Sequence, residues 1–330
     1  MAEDTRIPQP LSLIAHPYVM GTRSPHPFNF RFGDGTRALF AEDQAPKAVR
    51  SVFNDVEVKF IEDADEPREQ RMGTGNDTYF LYAGDQMART LLQNIRLAEV
   101  VAEARGRGRI PIASIGICSS ALGMVGGIGD AQGSIGMVWF DCHTDAHTPE
   151  TSPNGFFDGM PVSIIAGQCW ENYRRKIPGF REIPEDRIVS VGLQSLFDSH
   201  GPTQQRTVGT LVHKPTIEAL GFQGAMINAL DDLRKRCDQV YVHIDADVLD
   251  TSVLSASALV SSGGLAPGEV AHSLDWIAER FEILAVAFSA FDPHADPRGC
   301  GVLVPLVRHA ALAAAKSRAS RTSAWGSDRG

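Results

Sequence analysis

No C-x-x-C pair occurs in the 330 residues, and the five cysteines, at 118, 142, 169, 237 and 300, are an odd number scattered along the chain. That pattern does not suit a disulfide framework and points to a reduced, cytoplasmic setting. Basic residues are also scarce. Lys+Arg total 31 against 40 Asp+Glu, a formal charge of −9, which argues against nucleic acid or an anionic membrane as partner. No G-x-S-x-G elbow is present, so a serine hydrolase has no support. Gly126, Gly127 and Gly129 are not followed by Lys-Ser or Lys-Thr, which excludes a phosphate loop. The opening residues show no basic segment leading into an apolar one, so no signal peptide is expected. The longest charge-free run needs weighing as a membrane span. Ile110–Gly129 is about the length that crosses a bilayer, but Pro111, five glycines and three serines within it suit a buried strand, a turn and a small-residue helix better.

What is present is ordinary globular material, 43% hydrophobic and 22% charged, read as one domain over residues 1–316 with a flexible tail over 317–330. The first 75 residues, rich in Pro, Gly and charge, read as an irregular edge region with short apolar runs at Leu11–Ala15 and Val56–Ile61. Further on, Met87, Leu91, Leu92, Ile95, Leu97 and Val101 fall near helical spacing. Strands are then expected at Ile110–Ile117, Ile135–Phe140, Arg187–Leu193, Val240–Ile244 and Ile283–Phe288. Helices are expected from about Met160, over Pro215–Lys235 and Pro267–Phe281, and finally over Val302–Lys316. Apolar strands alternating with amphipathic helices imply a mostly parallel sheet covered on both faces. In such sheets ligands sit beyond the carboxyl ends of the strands.

Two of those ends are acidic. Asp141, His143 and Asp145 alternate at i, i+2 and i+4 after Trp139-Phe140, and Asp245 and Asp247 repeat the alternation after Val242-His243-Ile244. An extended backbone aims such residues the same way. Either motif alone can be a turn or helix cap. Four carboxylates converging at one sheet end, however, would repel unless cations neutralised them, and oxygens with one imidazole suit Mn²⁺-like ions.

Trp139-Phe140-Asp141-x-His143-x-Asp145, then Phe157-Asp158-Gly159-Met160-Pro161, then Asp245-x-Asp247-Val248-Leu249-Asp250 resemble, in order and spacing, the ureohydrolase family of arginase, agmatinase and formimidoylglutamase. The resemblance spans about residues 85–300. It implies a three-layer α/β/α fold with an eight-stranded, mostly parallel sheet. It also implies two Mn²⁺ ions bridged by a hydroxide that attacks an amidine-type carbon, and a homo-oligomer. Carried over by position, Asp141 and Asp245 bridge the ions, His143 and Asp247 complete one site, and Asp145 belongs to the other. The family's remaining ligand, a His, aligns with Cys118, which is either a soft thiolate ligand favouring Zn²⁺, Fe²⁺ or Ni²⁺, or a buried small hydrophobe.

Other departures concern substrate. Asp158 stands where the family often has a proton-shuttling His, and is either that shuttle or a loop cap. Gly192-Leu193-Gln194-Ser195 lacks the acid that grips an α-amino group. Ala290 replaces a guanidinium-gripping Glu, with Asp292 a substitute nearby. His243 is a satisfied core histidine, a donor behind a ligand or a stand-in ligand. His147 and Glu150 fall on the expected substrate loop. The resulting expectation is a metal-dependent hydrolase of a guanidino or formimino C–N bond, with Asp145 and Asp158 moving the proton. The alternatives are a mononuclear deacetylase-like amidohydrolase, sharing an Asp/His/Asp site, and a non-catalytic homologue.

Overall fold

Eight strands lie side by side in a single sheet: β1 (Leu11–His16), β2 (Val56–Phe60), β3 (Ile110–Ile115), β4 (Ile135–Asp141), β5 (Ile188–Gly192), β6 (Thr210–His213), β7 (Gln239–Asp245) and β8 (Glu282–Ser289). Their spatial order is β6-β5-β4-β7-β8-β3-β1-β2, and every pairing is parallel. The computed structural model describes residues 5–19, 31–61, 70–72, 79–81, 86–198, 201–202 and 205–327.

Central strands of a parallel sheet are covered on both faces and are therefore apolar almost throughout. β4 and β7 fit this, with every residue after the first buried. Alternate side chains serve two cores. Val138 and Phe140 join Val242 and Ile244 in one, against helices α2 (Ala45–Arg50), α7 (Lys214–Arg234), α8 (Pro267–Arg280) and α9 (Gly299–Ser327). Met137 and Trp139 join Tyr241 in the other, against α3 (Gln86–Gly106), α4 (Ala121–Gly127) and α5 (Pro161–Ile165). The short helices α1 (Phe32–Leu39) and α6 (Glu171–Arg174) complete the set among the described residues. The result is the expected three-layer α/β/α architecture.

The charge-free run 110–129 is the buried strand β3, a turn at Cys118–Ser120 and the fully buried α4. Its glycines let α4 lie against α3: a Cβ on Gly127 would meet Val101 Cβ at 2.3 Å. Among the described residues no helix is long and apolar enough to cross a membrane.

Two expectations need correction, and one strand was not anticipated. The N-terminal region is not merely irregular edge material, because β1 is an inner strand, entirely buried between β3 and β2. Pro8, Pro10 and Pro17 hide it in the sequence, yet all three flank the strand and none interrupts its ladder. β6, a four-residue edge strand, carries too little pattern to be read. The last helix does not stop at Lys316; it continues to Ser327, and Ser317 Oγ, buried, accepts the Ile283 N–H at 3.0 Å. Residues 328–330 of the expected tail lie outside the described residues.

Candidate metal centre

Sheet register builds the site. Trp139 pairs with His243 and Phe140 with Ile244, so Asp141 and Asp245, each closing its strand, end adjacent strands on the face that carries Trp139, Tyr241 and His243. Asp141, His143, Asp145, Asp245 and Asp247 all line one cavity of about 260 Å³, together with Cys118 and Asp158.

The Asp141–Asp145 segment does not reach this arrangement as an extended strand. β4 ends at Asp141, whose Oδ1 accepts the His143 N–H at 2.7 Å. Asp145 then adopts φ 46°, a left-handed conformation costly for a residue with a Cβ. Leu193 (φ 59°) and Ala290 (φ 56°) do the same just after β5 and β8. Backbone strain is thus concentrated at the carboxyl end of the sheet, beside the cavity.

Two overlapping donor groups emerge. Asp141, His143 and Asp247 place ligand atoms within 4.8 Å of one another, with the Cys142 thiol beside them; Cys118, Asp141 and Asp145 form the other group. Asp141 belongs to both. Asp245 groups instead with Cys118 and His243, and its Oδ1 accepts the Asp247 N–H at 2.9 Å. Asp247 Oδ1 accepts the Cys142 N–H at 3.1 Å. Asp141, Asp245 and Asp247 are thereby oriented by the backbone before any ligand arrives.

Burial sets the electrostatics. It raises Asp141 to about 6, helped by the charge of Asp247, and pushes Asp145 and Asp245 well above the usual carboxylate range, helped by neighbouring aspartates. Burial works the same way on Asp247, but the charge and hydrogen bond of His143 outweigh it and hold that carboxyl at about 2. Burial would lower His143, yet Asp247 and Asp141 overcome it and raise the imidazole well above its ordinary value. No Lys or Arg among the described residues lines the cavity. A crowded, buried set of carboxylates and one imidazole, without a fixed counter-charge, has the donor chemistry that fits divalent cations.

Cys118 is buried, and its thiol donates to Asp245 Oδ2 at 2.8 Å. Ser289 Oγ, at the end of β8, donates to the same oxygen at 3.0 Å and lies 3.2 Å from Cys118 Sγ. His243 stands behind Ser289. Its Nε2 is 3.0 Å from Ser289 Oγ, its Nδ1 is 3.0 Å from the Tyr241 hydroxyl, and its ring stacks on Trp139 at 3.6 Å. Complete burial lowers it to about 3, so it is neutral. Both nitrogens being engaged, His243 is a satisfied core histidine that reaches Asp245 through Ser289. Sequence reading missed Ser289; the available signal was a hydroxyl closing an otherwise apolar strand on the Asp245 register, Asp245↔Ser289.

The remaining candidates divide. Asp158 lines the cavity, and its Oδ1 accepts the Ser119 N–H at 2.6 Å, so it caps the Cys118–Ser120 turn while facing the site. Burial raises its pKa. His147 also lines the cavity, whereas Glu150 is exposed and outside it. Asp292 does not substitute at the position of Ala290. It lies outside the cavity, its carboxylate accepting the N–H groups of Arg31 (3.1 Å) and His294 (2.8 Å).

The model of the arginase family matches residues 33–318. The chain belongs to the arginase family. The arginase of Bacillus caldovelox is 28% identical over 206 residues, covering 62% of this chain and 69% of that protein. The crystal structure of arginase from Bacillus subtilis superposes with a TM-score of 0.72 at 19% identity, covering 92% of this chain and 98% of that one. Proclavaminate amidino hydrolase from Streptomyces clavuligerus gives a TM-score of 0.64 at 16% identity, covering 96% and 95%. At such identities these two likenesses establish the shared fold.

Proposed function

We propose that this arginase-family chain is a metal-dependent hydrolase that cleaves a C–N bond in a linear amidine or guanidino compound. Two divalent ions, Mn²⁺ foremost, would be held by Asp141, His143, Asp145, Asp245, Asp247 and Cys118. The observation that carries the reading is the convergence of four buried carboxylates and His143 on one cavity floor where no described Lys or Arg supplies a counter-charge. Asp141 and Asp245, closing adjacent strands, would each serve both ions. His143 and Asp247 would serve one ion, Asp145 and Cys118 the other.

Bound ions of this kind lower the pKa of a water towards about 7 and polarise the bond under attack. The chain's residues do the rest. Asp145, pinned in its strained turn by the bond from Val162 N–H to its carbonyl (2.9 Å), takes a proton from water and returns it to the departing nitrogen. Asp158, with a raised pKa and a fixed orientation, is a second proton donor facing the same space. The names of the relatives, arginase and amidino hydrolase, support the same bond class.

Elemental analysis of the purified protein, paired with assays for urea and ammonia release, tests this reading. Two ions per chain with amidine turnover are expected. One ion with deacetylation of an acylated amine would favour the mononuclear alternative, and no bound metal the non-catalytic one.

The same reading places the protein in the cytoplasm as a homo-oligomer, in keeping with five free cysteines. Sedimentation as a monomer at micromolar concentration would remove the oligomer.

A further inference from the structure

The amino end of the sheet, opposite the acidic floor, holds a second cavity of about 100 Å³. Ile135, which opens β4, and Arg187, just before β5, line it together with Arg181 and Glu182. Glu182 is already committed. Its Oε1 accepts the Arg174 Nε–H at 3.0 Å, and its Oε2 lies where a Cβ on Gly167 would fall. The two arginines are not committed. Arg187 is half-buried, and its Nε–H is buried with no hydrogen-bond partner among the described residues. Arg181 is exposed at the rim, and no acid among the described residues pairs with either guanidinium. In a chain of formal charge −9, that is the exception. Nearby arginines are paired: Arg105 with Asp130 at 3.0 Å and Arg236 with Asp232 at 2.6 Å.

Neither neighbouring helix end engages Arg187. The last carbonyls of α4 are taken by the backbone, Met124 O by the Ile128 N–H (3.2 Å) and Gly126 O by the Gly129 N–H (3.1 Å). At the end of α7, Arg234 donates to Cys237 O (3.2 Å) and Arg236 to Asp232 O (2.8 Å). A buried donor on a charged group that stays unsatisfied is costly, so its partner should be sought outside the chain.

We propose that this cavity binds a phosphate group, as inorganic phosphate or as the head of a phosphate monoester. One oxygen accepts the Arg187 Nε–H, and the fork of Arg181 closes on the group from the rim. Planar guanidinium forks match the oxygens of phosphate, and two of them balance a group that carries about −1.5 to −2 near neutral pH. The substituent of a monoester leaves on the open side, past Arg181. The site lies away from the proposed metal centre and does not depend on the hydrolase reading.

Calorimetric titration of the desalted protein with inorganic phosphate, at an ionic strength fixed with chloride, tests the proposal. Saturable binding of one phosphate per chain is expected. Arg187→Gln and Arg181→Gln should each weaken it by at least about 10-fold, the scale of one charge-assisted hydrogen bond. Arg187→Lys keeps the charge but loses the Nε donor, and should weaken it too. Arg105→Gln removes a cation already paired with Asp130, and should leave binding unchanged. Glycerol phosphate binding as tightly as inorganic phosphate would identify the ligand as a monoester head, and binding of inorganic phosphate alone would identify the free ion; either supports the site. Absence of saturable binding at millimolar phosphate would overturn the proposal. So would equal affinity in wild type and the two Gln variants, since the phosphate would then sit elsewhere. Should Arg187→Gln fail to fold, Arg181→Gln, altered only at the exposed rim, decides alone.

Discussion

His143 Nδ1 lies 3.2 Å from Asp247 Oδ2, so that the imidazole, when protonated, is placed to neutralise part of the acidic floor. The same nitrogen is 3.4 Å from Asp141 Oδ1. A divalent ion held here, as proposed, would compete with a proton on His143 for one space, which would tie metal affinity, stability and pH together.

The sign follows from three groups. Asp141, raised to about 6, binds more protons folded than unfolded, so its contribution to metal-free stability declines as pH rises from its unfolded value, about 4, through about 6. His143, also raised, contributes fully below its unfolded value of about 6.5 and loses that contribution as pH rises through its folded pKa. Asp247, held at about 2, contributes above its unfolded value of about 4 and fails only as pH falls through about 2. On the proposed reading, Mn²⁺ would replace the protons on the first two. Melting temperatures with Mn²⁺ minus those with a chelator should thus grow between about pH 5 and about pH 8. A gain that shrinks over that range would contradict the arrangement.

Ser289 offers a cleaner test of how Asp245 is held. Tyr241, His243 and Ser289 form a continuous line of hydrogen bonds ending on Asp245 Oδ2, and all four side chains are buried. Partners that orient a ligand typically account for about 10- to 100-fold in metal affinity. Ser289→Ala should lower Mn²⁺ affinity by that factor in calorimetric titration, with the circular dichroism spectrum of the fold unchanged. Affinity equal to wild type would detach this line from the centre.

Strand parity made the acidic pairs legible in the sequence, because alternation places Asp141 with Trp139 and Asp245 with His243 whatever lies between. Parity fails where the strand stops. The turn that carries His143 to Asp145 depends on a left-handed Asp145, which no spacing rule predicts. Long-range partners were equally hidden: Ser289 matters only because β8 lies beside β7 in the register Asp245↔Ser289. Asp292 shows the reverse failure. It has the right chemistry near the right place in the chain, but it is committed to the Arg31 and His294 amides.

Asp141 is shared by both donor groups and Asp245 closes the neighbouring strand. Removing either charge should release both ions rather than one. Asp141→Asn and Asp245→Asn, chosen because Asn preserves shape, should each fall below one ion per chain after desalting and lose at least about 100-fold in kcat, the scale of losing an interaction made in the transition state. Retention of one fully occupied ion in either variant would show that the residue serves a single position.

As a proposed ligand, Cys118 would set the character of the second position. The four aspartates already carry the charge that two divalent ions balance, so a thiolate adds a fifth negative charge and weakens the pull on a bound water. Burial and then the Asp245 charge push the Cys118 thiol well above its ordinary pKa. Losing its proton is therefore unfavourable unless an ion takes that proton's place between sulfur and Asp245 Oδ2, now 2.8 Å apart. An ion that does so is selected for softness, favouring Zn²⁺ or Fe²⁺ over Mn²⁺ at this position. Cys118→His supplies a neutral, harder donor, and should improve Mn²⁺ retention and move the activity optimum to lower pH. Cys118→Ser keeps a hydrogen bond to Asp245 but is a poor ligand, and should retain only the ion at Asp141, His143 and Asp247. Co²⁺ substitution reads the sulfur directly, since a thiolate–cobalt charge-transfer band present in wild type should vanish in the Ser variant. Two tightly held ions in Cys118→Ser, with no such band in wild type, would reduce Cys118 to a packing residue.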